Sequence, residues 1–97
     1  MSGNLKKVLV VDDEAGMRLM LTTYLEREGY QVVTAAEIKT AEALLNKDVF
    51  SAVITDLSMP GGSGLDLLNR MKEMNLDLPV IVMSAYGTTD SALTAMR

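Results

Sequence analysis

At 97 residues and 48% hydrophobic content, the chain has the size of one small globular domain, and a second domain does not fit. A net charge of −4 without a basic cluster argues against direct contact with nucleic acid or an anionic membrane surface. With no cysteine and no histidine, disulfide scaffolds, thiolate or imidazole metal sites and Cys nucleophiles are excluded, and any histidine chemistry must come from a partner.

Lys7–Val11 is a Val/Leu-rich run too short for a helix and closed by Asp12-Asp13-Glu14, so it reads as the first strand. Met17, Met20, Leu21, Tyr24 and Leu25 then recur at helical spacing, and Gly29 stands where helices end; this predicts a first helix over 14–28. Tyr30–Ala35 makes a shorter second strand, and Ile38, Ala41, Leu44 and Leu45 mark a second helix ending near Asn46. The central strand is Phe50–Thr55, followed by Asp56 and the loop Leu57-Ser58-Met59-Pro60-Gly61-Gly62-Ser63-Gly64, whose glycines read as turn geometry. Leu65, Leu68 and Met71 predict a third helix over 64–74, and Pro79–Ser84 a fourth strand. A fourth helix begins near Thr88 or Thr89, and the sequence stops within it at Arg97. The methionines are expected to fill the core. No apolar run approaches the roughly 18 residues of a membrane span, and no signal-like apolar stretch precedes the first strand, so the cytoplasm is the expected location.

Strands alternating with helices predict a parallel sheet covered on both faces, with ligands at the C-terminal strand ends. Asp12 and Asp13 end the first strand and Asp56 the third, so a parallel sheet brings these acids together. Such a cluster repels itself unless protonated or holding a cation, and an all-oxygen donor set favours Mg²⁺. A carboxylate beside a bound cation can act as a phosphoryl nucleophile. The plainer alternatives are a turn role for Asp56 and helix capping by Asp12 and Asp13. Ser84, closing the fourth strand as Asp56 closes the third, either donates to a phosphoryl oxygen or makes a local turn bond.

Val8-Leu9-Val10-Val11-Asp12-Asp13-Glu14, Ile54-Thr55-Asp56-Leu57-Ser58-Met59-Pro60-Gly61-Gly62-Ser63-Gly64 and Pro79-Val80-Ile81-Val82-Met83-Ser84-Ala85 together resemble the receiver domains of bacterial two-component response regulators. The resemblance covers essentially the whole chain. It implies a flavodoxin-like α/β fold with strand order 2-1-3-4-5. It further implies that Asp56 accepts a phosphoryl group from a phosphohistidine on a sensor histidine kinase, and that Asp13, Asp56 and the backbone carbonyl of Ser58 bind Mg²⁺, with Asp12 acting mainly through water. Ser84 matches the hydroxyl that moves toward the phosphoryl group. Asp66-Leu67-Leu68 and Ser84-Ala85-Tyr86-Gly87-Thr88-Thr89-Asp90 are similar to receivers that precede ATPase-type transcriptional activator domains, which implies an output domain outside these residues. Receivers also have a fifth strand ending in a phosphoryl-contacting lysine, and a fifth helix. Lys6, Lys7, Lys39, Lys47 and Lys72 do not match that lysine, so residues 1–97 are expected to be a truncated receiver or a piece of a longer protein.

Three other functions share parts of this pattern. A flavodoxin-type cofactor binder has the architecture, but three acids after the first strand would repel its phosphate. An aspartyl-phosphate hydrolase would need a further residue to activate water. A phosphorylation-independent interaction module keeps the fold and docks partners without chemistry; on either receiver reading, any catalysis is confined to the chain's own phosphorylation and dephosphorylation. With order 2-1-3-4, the apolar fourth strand forms an edge, which predicts homo-oligomers through that edge or through exchange of the fourth helix.

Overall fold

Short runs of β-branched residues and leucine, bounded by charges and turn formers, become the parallel strands. The computed structural model describes residues 6–56, 58, 59 and 62–83. In chain order these form β1 (Lys7–Val11), α1 (Ala15–Arg27), β2 (Gln31–Ala35), α2 (Ile38–Lys47) and β3 (Ala52–Asp56). They continue through two-residue strands β4 (Ser58–Met59) and β5 (Gly62–Ser63), then α3 (Gly64–Glu73) and β6 (Val80–Met83). Ser84 and the fourth helix expected from Thr88 onward lie outside the described residues.

The main sheet is parallel throughout with order β2-β1-β3-β6, the flavodoxin-like 2-1-3-4 arrangement of the four long strands. The glycine-rich stretch folds back on itself, with Ser58 opposite Ser63 and Met59 opposite Gly62 in an antiparallel pair. Strand order reverses between β2 and β3, so right-handed crossovers send α1 to one face of the sheet and α2 and α3 to the other. Along β1, Leu9 and Val11 face the second side, where they join Val53, Val80 and Val82 in one core with Ala41, Leu45, Leu67 and Met71. Phe50, just ahead of β3, closes the base of that core.

Helix α1 departs from the expected apolar face. None of its residues is fully buried, and Met20 and Tyr24 are 55% and 61% exposed, while only Met17, Leu21 and Leu25 of the stripe are half-buried. The helix lies over β1 and β2, so the side turned toward β3 and β6 has no described helix against it, and Ile81 of β6 is exposed with it. Met71 packs fully into the core as expected of the methionines, whereas Met20 does not.

Helices α1 and α3 end in the same backbone motif. Gly29, at φ +95°, donates its N–H to the carbonyl of Glu26 while Tyr30 donates to Leu25. Asn75, at φ +59°, donates to Lys72 while Leu76 donates to Met71. This paired 6→1 and 5→2 pattern satisfies the last carbonyls and requires a left-handed residue, for which glycine and asparagine are suited. The second instance ends α3 at Glu73, one residue before the sequence periodicity suggested.

Candidate functional site: three carboxylates at the sheet edge

Register decides which side chains meet. Val11 of β1 lies opposite Thr55 of β3, and Asp56 lies opposite Met83 of β6. One residue beyond β1, Asp12 therefore stands beside Asp56 at the C-terminal edge of the sheet. Asp12, Asp13 and Asp56 each present a carboxylate oxygen, and these atoms all lie within 4.8 Å of one another. Asp12 is buried at 3% exposure, Asp56 is half-buried and Asp13 is exposed, so the cluster opens outward on one side.

Neither Asp12 nor Asp13 is the N-cap of α1, which corrects the simpler alternative for the pair. That position belongs to Glu14, whose side chain makes no capping bond. Asp12 is instead held in place at its backbone and side chain. Its N–H donates to the carbonyl of Ala35 at 3.0 Å, and its Oδ1 accepts the Glu14 N–H at 2.9 Å. The Arg18 Nη1 donates to the Asp12 carbonyl oxygen at 2.7 Å. Burial pushes the Asp12 carboxyl above the usual carboxylate range; the Glu14 N–H works against this, the charges of Asp56 and Asp13 reinforce it, and Arg18 opposes it.

An octahedral Mg²⁺ with bonds of about 2.1 Å spans about 4.2 Å between opposite oxygens. Oxygens gathered within 4.8 Å of one another are close enough for one such ion to be shared among the acids. The donor set contains only oxygen, which suits a hard cation and disfavours zinc. Next to the acids lies an open cleft of about 290 Å³, lined by Asp12, Glu14, Asp56 and the apolar side chains of Met17, Met20, Leu21 and Met83. An anionic group approaching Asp56 thus meets carboxylates on one side and thioethers and leucine on the other.

On the opposite side Gly64 opens α3 against the end of β3. A Cβ placed on Gly64 would come within 2.6 Å of the Asp56 carbonyl oxygen and 3.0 Å of Thr55 Cγ2. This close approach, and not only turn formation, is what the glycine provides. The Thr55 hydroxyl, fully buried, donates to the same Asp56 carbonyl at 3.2 Å. Sequence reading singled out neither Arg18 nor Gly64 for these roles. Arg18 gave a faint signal, since it follows Glu14 by four residues and so stands one helical turn above the acids. Ser58 falls in β4, and Ser84 is outside the described residues. Among the described residues no helix is long and apolar enough to cross a membrane.

A family model for the response regulator receiver domain matches residues 8–97. The chain is 38% identical over 85 residues to the sporulation initiation phosphotransferase F of Bacillus subtilis, covering 88% of this chain and 68% of that protein. It is 36% identical over 92 residues to the response regulator protein PilR of Pseudomonas aeruginosa, covering 95% of this chain but only 21% of that protein. Among solved structures, the response regulator TrrA of Thermotoga maritima, determined in complex with Mg²⁺–BeF, superposes with a TM-score of 0.83 at 34% identity, covering 94% of this chain and 79% of that one. With the 2-1-3-4 parallel sheet, the carboxylates at its edge and a family match over nearly its whole length, the chain belongs to the receiver domains of two-component response regulators.

Proposed function

We propose that residues 1–97 are a phosphoacceptor module in which Asp56 takes a phosphoryl group from a phosphohistidine of a sensor histidine kinase. A carboxylate oxygen of Asp56 attacks phosphorus, the new P–O bond forms as the P–N bond breaks, and the electron pair and then a proton go to the leaving imidazole. The chain contains no histidine, so the donor is a separate protein or domain. Asp13, Asp56 and the Ser58 carbonyl would hold Mg²⁺, with Asp12 acting mainly through water, and the bound cation supplies positive charge against the developing phosphoryl anion. Ser84 would donate its hydroxyl to a phosphoryl oxygen after transfer.

The observation that carries this function is the mutual approach of the three carboxylates to within 4.8 Å, with Asp12 and Asp56 lining an open cleft. Three acids that close are stable together only with a cation or a proton among them. The test is intact-mass measurement after incubation with a small phosphodonor and Mg²⁺. The native chain is expected to gain one phosphoryl group, and neither Asp56→Asn nor the native chain without Mg²⁺ to gain any. Equal modification of Asp56→Asn would remove Asp56 from the role; an unmodified native chain that still binds Mg²⁺ would favour an interaction module that works without phosphorylation.

The chain spans about a fifth of PilR, so an output domain beyond these residues is part of the proposal, as is a cytoplasmic setting with the kinase. So is self-association of the 97-residue polypeptide, through the β6 edge or by exchange of the segment that follows it.

A further inference from the structure

Asp12 is the first residue past the ladder of β1, and among the described residues no strand N–H donates to its carbonyl. Arg18 donates instead, reaching back from the first turns of α1 at 2.7 Å. The choice of acceptor is informative. Arg18 reaches the backbone of Asp12 yet forms no ion pair with its carboxylate, whereas ion pairs elsewhere among the described residues join Lys7 to Asp48 and Arg70 to Glu42. A guanidinium serving only as a solvated helix charge would be exposed, but Arg18 is half-buried. One serving as a resident counter-ion would take a carboxylate oxygen, in direct competition with a metal.

We propose that Arg18 is a positioning residue of the acidic site: by holding the Asp12 carbonyl it fixes the turn that presents Asp12 and Asp13 to a divalent cation, and it takes neither of their carboxylates as an ion-pair partner. The inference rests on the phosphoacceptor function proposed above. Three bonds then define the turn. The Asp12 N–H is tied to Ala35 of β2, its carboxylate to the Glu14 N–H, and its carbonyl to Arg18, whose own N–H donates to the Glu14 carbonyl at 3.1 Å. Removing the guanidinium frees one side of this frame while the acids remain.

The test is Mg²⁺ titration calorimetry on the native chain, Arg18→Met and Arg18→Lys, followed by phosphorylation rates with a small phosphodonor at low and at saturating Mg²⁺. Loss of one charge-assisted hydrogen bond is expected to weaken Mg²⁺ binding in Arg18→Met about tenfold. The rate should fall at low Mg²⁺ and return close to native at saturation, and Arg18→Lys, which keeps a charged donor, should recover most of the affinity. Unchanged or tighter binding in Arg18→Met overturns the proposal, tighter binding meaning that Arg18 competes with the metal. A rate deficit that persists undiminished at saturating Mg²⁺ overturns it as well, since Arg18 would then act on the phosphoryl group. Should Arg18→Met fail to fold, Arg18→Gln carries the same comparison. A native chain that does not bind Mg²⁺ overturns both this and the phosphoacceptor function, whereas native binding with an indifferent Arg18→Met overturns only this one.

Discussion

Single residues at the end of β3 bear more of the site's geometry than their chemistry suggests. Asp56 carries the proposed reaction, but where its backbone sits is set by Gly64 and Thr55, which crowd or bond its carbonyl. Replacing Gly64 by alanine would force a methyl group into a space 2.6 Å from that oxygen, and a backbone atom cannot swing aside as a flexible side chain can. Gly64→Ala is therefore expected to lower stability by about 1–3 kcal/mol, the usual cost of overpacking, and to slow phosphoryl acceptance by moving Asp56. Urea denaturation and intact-mass kinetics on the same sample check this; native stability with a native rate would mean that α3 shifts away without effect. The sequence placed Gly64 in a turn, but a turn needs only conformational freedom, whereas the observed need is closeness between two elements that only the fold brings together.

At the scale of elements, the start of β1 is tied to the end of α2. Lys7 Nζ meets Asp48 Oδ2 at 2.6 Å, and the same ammonium lies 5.9 Å from the centre of the Phe50 ring. The hydrogen bond from Lys7, helped by the Val49 N–H, holds the Asp48 carboxyl below its ordinary range. A carboxyl whose folded pKa is depressed adds stability above its unfolded pKa, and that stability is lost as pH falls through the folded value. Asp48→Asn is thus expected to melt slightly lower than the native chain near neutral pH, with the difference shrinking as the solution is acidified below the ordinary carboxylate range. Added salt should shrink it too, since the pair is at the surface. A melting difference independent of both pH and salt would assign the effect to something other than the ion pair. Element boundaries followed from the sequence wherever a local signal existed: the left-handed Gly29 ends α1 near the expected place, and β1 runs over the expected residues. What failed was the apolar face of α1, because periodicity identifies a stripe but not how much of it a neighbouring element covers.

For the whole molecule, the sheet order leaves two strands at its edges among the described residues, and they differ in character. β2 carries Gln31 and Thr34, whereas β6 is Val80, Ile81, Val82 and Met83 without a polar side chain. Ile81 is 38% exposed, on the face where Met20 and Tyr24 of α1 are also open. Apolar edges with unpaired backbone groups pair with other chains. The 97-residue polypeptide is expected to self-associate through this side as concentration rises, which light scattering after size exclusion across a dilution series will read. A monomer at every concentration, with a sharp unfolding transition, would rule this out. Substituting Ile81 by lysine should shift the series toward monomer while leaving the acidic edge intact, because the charge sits on the exposed face of an edge strand.

The alternation of strands and helices, a site without thiol or imidazole ligands and the three acids at two strand ends were legible in the sequence, because each is written locally: in a short apolar run, in a composition without cysteine and histidine, in a carboxylate at a strand end. That these acids meet at one sheet edge was expected from the sequence; the register that sets Val11 opposite Thr55, and the approach of the three carboxylates to within 4.8 Å, came from the tertiary structure. It alone also turned Arg18 toward a carbonyl instead of a carboxylate and brought Gly64 against Asp56. Those relations join residues from different elements, so they depend on strand register and crossover handedness, which no local pattern of residue types encodes.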